Sequence, residues 1–233
     1  MRRLLVPLAV LLAFAPAALG QQPATAVSLS AYERTTVSWN GPAGQTWQVI
    51  LIGKQGTQAL PVTSKRKIAV DYITVAPAAQ WGDDVTAYVA PCAAPQETYE
   101  ASVAGKTGVY AFCTPVPDSW AASSTTVLQG PPSLMLNDAL TRGRVVAWKV
   151  ERGREYAAPT GYTVRYRPDV CPAASSNTAP CPGRKPWRQT TLKAAAKSFS
   201  IPGATSGTYW DVQVTAASDA GKSDVLDLGI YIT

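Results

Sequence analysis

The stretch GTYWDVQVTAASDAGKSD, residues 207–224, runs in two phases. Trp210, Val212, Val214 and Ala216 share one parity, and Tyr209, Asp211, Gln213 and Thr215 take the other. Successive side chains on a strand point to opposite faces, so this is a strand with one apolar and one wet side. The alternation then dissolves into small polar residues around Gly221, which reads as a turn.

The same period recurs along the chain. TTVSWN puts Val37 and Trp39 together, TWQVILIGK aligns Trp47, Val49 and Leu51, and DDVTAYVAPC aligns Val85, Ala87 and Val89. IAVDYITV and TGVYAF add β-branched and aromatic runs. Further on, RVVAWKV carries Val146 and Trp148, and GYTVRYRP sets Tyr162, Val164 and Tyr166 against Thr163, Arg165 and Arg167. Frequent proline and glycine leave no room for long helices. Short strands joined by turns predict an all-β chain of antiparallel sandwiches. Each half places a tryptophan strand before an aromatic strand and later a valine strand, so the order predicts a tandem repeat.

The segment FSIPGATSGTYWDVQVTAASDAGKS resembles the E-to-G portion of a fibronectin type III domain. An apolar strand, a Pro-Gly turn, an aromatic-led valine strand and a turn ending in Gly-x-Ser follow in that order. With Trp148 and YTVRYRP, the resemblance spans about 100 residues. It is looser over residues 24–117, carried by Trp39, WQVILIGK, VAPAAQW and VTAYVAP. The resemblance implies two tandem fibronectin type III or immunoglobulin-like sandwiches, with Trp39, Trp148 and Trp210 as core markers. The family's strand-F tyrosine is replaced here by Trp210, whose indole N–H can still tie back to the corner. Ala204 stands where a larger apolar residue is usual.

The first twenty residues, MRRLLVPLAVLLAFAPAALG, have two arginines, an apolar run and small residues at Ala18 and Gly20. That layout predicts a signal peptide over 1–20, exported by Sec or by a twin-arginine route. The apolar run is short of the roughly 20 residues a span needs, and no later segment is long and apolar enough to cross a bilayer. The expected divisions are a first sandwich over 21–117 and a second over 118–233, with a Pro- and Ser-rich linker within 114–133. Residues 21–117 carry six basic and six acidic side chains, whereas 118–233 carry thirteen and nine, so the excess charge lies in the second half.

Four cysteines in an exported chain predict two disulfides. Of three connectivities, Cys92–Cys113 and Cys171–Cys181 place one bridge in each domain and leave the linker unconstrained. Cys92–Cys113 is expected across or near the last hairpin of the first domain. Cys171–Cys181 would staple a loop between strands C and C′.

The sequence has no histidine and no C-x-x-C pair, which argues against a zinc site, a serine triad and an imidazole-assisted thiol. AGKT at 104–107 lacks the upstream glycine of a phosphate loop, where Glu100 stands instead. Arg-Gly-Arg at 142–144 and 152–154 lacks the aspartate of an integrin-type tripeptide. Asp83 and Asp84 are adjacent, which suits a turn better than a catalytic pair. No cofactor, metal or nucleic-acid partner is expected, and the chain is read as non-catalytic.

Arg165 and Arg167 point outward by parity, with Arg188 expected beside them on C′, forming a face for an anionic ligand such as an acidic polysaccharide. The leading expectation is a secreted or cell-surface binding or adhesion protein with an extracellular protein partner. One alternative is a self-assembling subunit of an extracellular filament, sheath or coat. Another is a polysaccharide-binding module using exposed aromatics such as Tyr209 or Trp81.

Overall fold

A computed structural model of the chain describes residues 21–169 and 185–233, and the expected leader and the Cys171–Cys181 loop lie outside them. The N-terminal part contains β1 (Thr25–Ser30), β2 (Arg34–Asn40), β3 (Trp47–Gly53), β4 (Thr57–Thr63) and β5 (Lys67–Asp71). These are followed by a single helical turn α1 (Tyr72–Val75) and by β6 (Asp84–Val103), β7 (Lys106–Pro115), β8 (Ala121–Ala122) and β9 (Thr126–Val127). One sheet runs β1-β2-β5; the other runs β4-β3-β6, with β8 and β9 also on β6. The run IAVDYITV is therefore only half strand. The Asp71 carboxylate accepts from the Thr74 amide and turns Tyr72–Val75 into a helical turn.

The C-terminal part repeats the plan with β10 (Leu134–Leu136), β11 (Val145–Val150), β12 (Gly161–Asp169), β13 (Arg188–Lys193), β14 (Ser198–Ser200), β15 (Tyr209–Ser218), β16 (Gly221–Lys222) and β17 (Leu226–Tyr231). Its sheets run β10-β11-β14 and β13-β12-β15, with β16 and β17 on the far side of β15. Three strands facing four, paired antiparallel, is the A-B-E and C′-C-F-G arrangement of a fibronectin type III-like sandwich.

Each pair of sheets encloses its own core. One contains Val37, Trp39, Trp47, Val49, Leu51, Val85, Ala87 and Val89. The other contains Val146, Trp148, Tyr162, Val164, Tyr166, Trp210, Val212, Val214 and Ala216. In each, a tryptophan of the second strand meets an aromatic at the start of the third. Trp39 lies 5.9 Å from Trp47, and Trp148 lies 5.2 Å from Tyr162. The corner before β15 is closed by Trp210, whose Nε1 donates to Thr208 Oγ1 at 3.0 Å, while that hydroxyl donates to the Thr205 carbonyl.

Two expectations require correction. The TGVYAFC run is not the closing strand of the first sandwich. β6 continues past Cys92 and returns as β7, forming an extra hairpin between strands F and G. Strand G comes later, as β8 and β9, within the segment read as linker. Leu128 belongs to the first core, so the residues from Ala121 to Leu128, expected in the linker, pair and pack with the first sandwich. Alternation could not reveal this because the Ser/Thr-rich G strand is interrupted. Ser123 replaces a ladder bond with its side chain, its hydroxyl accepting from the Ala87 amide at 3.0 Å. Ser223 does the same for Ala216 at 2.8 Å in the second sandwich.

The extra hairpin folds over the outer face of the first C′-C-F-G sheet. Ala101, Val103, Val109 and Ala111 pack against Ile50, Ile52, Ala59 and Tyr88, forming a third apolar cluster. This explains why Trp47 through Leu51 are all buried where a one-sided strand would alternate. The Cys92–Cys113 disulfide ties the base of the hairpin. Gln48, fully buried, fastens it to the sheet: its Oε1 accepts from the Phe112 amide at 2.7 Å and its Nε2 donates to the Leu60 carbonyl at 2.7 Å. Replacing Gln48 with leucine leaves the Phe112 amide without this acceptor, a loss of about 1–3 kcal/mol. Hydrogen exchange should show the Phe112 amide among those most accelerated in Gln48→Leu. Unchanged protection there would mean that the side chain does not hold the hairpin.

The two sandwiches meet along a short seam. Gly130 N donates to the Glu155 carbonyl at 2.8 Å and Ala157 N to the Gly130 carbonyl at 3.0 Å. Arg154 reaches Asp84 at 2.6 Å. A Cβ on Gly130 would meet the Trp81 ring at 3.3 Å, so glycine allows the close approach.

Candidate binding face

The outer face of the second C′-C-F-G sheet can be read from its register. Arg165 lies opposite Gln213, Arg167 opposite Asp211, and Asp169 opposite Tyr209. On the other side of β15, Tyr209 faces Tyr231, Asp211 faces Gly229, and Gln213 faces Asp227. Directly opposed residues share a face. All of these therefore project away from the core, which is filled from the opposite parity by Tyr166, Trp210, Val212 and Val214.

Trp187, just before β13, organises the cationic part. Its ring lies 4.2 Å from the Arg167 guanidinium carbon and 5.1 Å from that of Arg165. Arg167 also pairs with Asp211 at 2.7 Å, with only 13% and 23% of the two side chains exposed. This pair is largely shielded from salt, and its charges cancel. Arg165 is exposed and has no ion pair or hydrogen bond to any described residue.

Arg188 does not join them. It lies opposite Tyr166, a core residue, so it projects from the other side of the sheet. The phase of an edge strand cannot be counted through a loop from sequence. The face is also only slightly basic. Among the described residues, Arg165, Arg167, Lys193 and Lys222 share that parity with Asp169, Asp211 and Asp227, an excess of a single positive charge.

Its aromatic part was only half anticipated. Tyr209 and Tyr231 are exposed neighbours with ring centroids 4.6 Å apart, at the end away from Arg165. Tyr231 carried no distinctive sequence signal beyond its parity on the last strand. Trp81 is not an exposed platform: it is half-buried and stacks on Tyr72 at 3.9 Å.

The remaining concavities offer little chemistry. A groove of about 700 Å³ beside Trp148 and Tyr162 is lined by one carboxylate, Glu151, along with Tyr156 and Lys197. Burial raises the Tyr156 hydroxyl above the usual phenol range, and the neighbouring Glu151 carboxylate adds to this. Asp83 and Asp84 are divided between tasks and do not share a proton site. Asp83 accepts from Gln55 and from the Gln80 amide, which lower its pKa, and Asp84 faces Arg154.

No protein-family model matches the chain, and no curated protein matches it. Among solved structures, it is similar to the FN1–FN3 domains of chicken CNTN1, at 10% identity over 91% of this chain and 69% of that one, with a TM-score of 0.37. It is also similar to a two-domain fibronectin type III segment of chicken tenascin, at 13% identity over 90% of this chain and 99% of that one, with a TM-score of 0.33. By its own strand order and register, the chain is an all-β protein of fibronectin type III-like sandwiches.

Proposed function

We propose that the chain is an exported, non-catalytic binding or adhesion protein that engages a protein partner through the outer C′-C-F-G face of its second sandwich. The observation that carries this reading is the gathering of Trp187, Arg165, Arg167, Tyr209 and Tyr231 on one sheet face of nearly balanced charge. Tryptophan, tyrosine and arginine dominate the energetics of protein interfaces: the two aromatics bury large area while ordering few rotatable bonds, and arginine adds directional, multidentate hydrogen bonds. Interleaved charges of both signs favour a protein surface over an acidic polysaccharide, which would select a large excess of cations. The buried Cys92–Cys113 bridge supports an oxidising compartment.

The test is binding of fluorescently labelled chain to the surface of source cells. Tyr209→Ser combined with Tyr231→Ser should leave near-ultraviolet circular dichroism native-like, apart from the lost tyrosine signal. The same change should weaken binding by about tenfold or more. Equal binding by parent and double variant would refute this face as the docking surface.

A further inference from the structure

We infer that the occupant of this face is a second copy of the chain, presenting the outer side of its β6–β7 hairpin. This inference rests on the reading of the face given above. The hairpin has two sides with opposite character. Val109 and Ala111 face inward and are buried against the sheet, whereas Tyr110 and Phe112 face outward and are 66% and 43% exposed. Glu100 lies directly opposite Tyr110 and is exposed, with no ion pair or hydrogen bond to any described residue. Lys106, at the turn, is the nearest cation in sequence.

Large exposed aromatics side by side on one face of a hairpin mark an interaction surface. The first sandwich thus carries two aromatics with an uncompensated carboxylate. The second carries two tyrosines on a face with an excess of one positive charge, where Arg165 stacks on Trp187 and forms no ion pair with any described residue. The two surfaces match in character and are complementary in charge. They also sit on different sandwiches of one molecule. A contact between two different patches is heterologous, so every added copy leaves one patch of each kind free. Such contacts propagate into an open filament unless the rotation closes a ring.

Sedimentation of disulfide-intact chain 21–233, from about 1 µM to about 500 µM, covers the range expected for small non-obligate interfaces. The parent should grow beyond dimer as concentration rises. A hairpin variant, Tyr110→Ser with Phe112→Ser, and a face variant, Tyr209→Ser with Tyr231→Ser, should each stay monomeric. Mixed together they should stop at a 1:1 dimer, because each retains the surface the other has lost. Glu100→Arg and Arg165→Glu test the charge pairing without removing packing groups: each alone should associate at least about tenfold more weakly, and mixing them should restore pairing. A parent that remains monomeric throughout, a hairpin variant that still polymerises, or variants that do not pair when mixed would each overturn the inference. Loss of cell binding by the face variant alongside a strictly monomeric parent would overturn this occupant while leaving the proposed function standing.

Discussion

Trp148→Ala is expected to abolish independent folding of the second sandwich, or to leave it populated only in stabilising conditions. The side chain is 1% exposed in a core with Val146, Tyr162, Val164 and Ile201. Truncating a buried tryptophan costs about 3–5 kcal/mol through lost transfer and an unfilled cavity. A domain of this size has only about 5–15 kcal/mol in total. The conservative change separates packing from polarity. The Trp148 indole N–H has no hydrogen-bond partner among the described residues, whereas that of Trp210 is bonded to Thr208. Trp148→Phe should therefore lose volume alone, and Trp210→Phe should lose volume and a hydrogen bond. Chemical denaturation of all three variants, read by near-ultraviolet circular dichroism, tests this ordering. An alanine variant at Trp148 with a midpoint close to the parent's would mean that this ring is not the centre of the core.

What was legible in the sequence follows from what periodicity can encode. The β15 alternation separates Trp210 from Tyr209 correctly because the pleat has period two, and the strand is long enough to establish its phase. The same signal misled at TGVYAFC. Val109, Ala111 and Cys113 alternate as a sandwich strand would, yet the face they bury belongs to a hairpin laid over the sheet. Parity says that one side is covered and is silent on what covers it. The continuous apolar run VILI was the available clue, since a strand with one wet face would not place Ile50 and Ile52 opposite Val49 and Leu51. The G strand was lost for a different reason. Its two short pieces flank a serine whose hydroxyl substitutes for the ladder, and serine-rich sequence otherwise reads as linker. The recurrence of Ser123 and Ser223, each tied to an alanine of strand F, becomes visible only once the sandwiches are aligned in space. Arg188 failed because the phase of an edge strand cannot be carried across a loop.

Removing the Cys92–Cys113 bridge, by replacing both cysteines with alanine, should release the hairpin first and the sandwich only secondarily. The two sulfurs close a loop with a sequence separation of 21 residues. By the chain-entropy model, opening such a loop costs about 3 kcal/mol. That loss falls on the weakest unit able to open by itself. The main core, built on Trp39, Trp47, Val49, Leu51 and Val89, contains neither cysteine. The hairpin is held to the sheet by the small cluster around Ile50, Val103 and Val109 and by the Gln48 bonds. Residues 92–115 should therefore lose amide protection and become sensitive to limited proteolysis near the Ala104–Gly105 turn, while the amides of β2 and β3 keep most of theirs. Freeing the hairpin also uncovers Ile50, Ile52 and Tyr88, so the variant should bind an apolar dye that the parent excludes. It should also lose the surface that presents Tyr110 and Phe112, and with it the capacity to pair with the second sandwich of another copy. If exchange instead accelerates uniformly across residues 24–128, the hairpin and sandwich form one cooperative unit, and the disulfide stabilises the whole fold and not only the added arm.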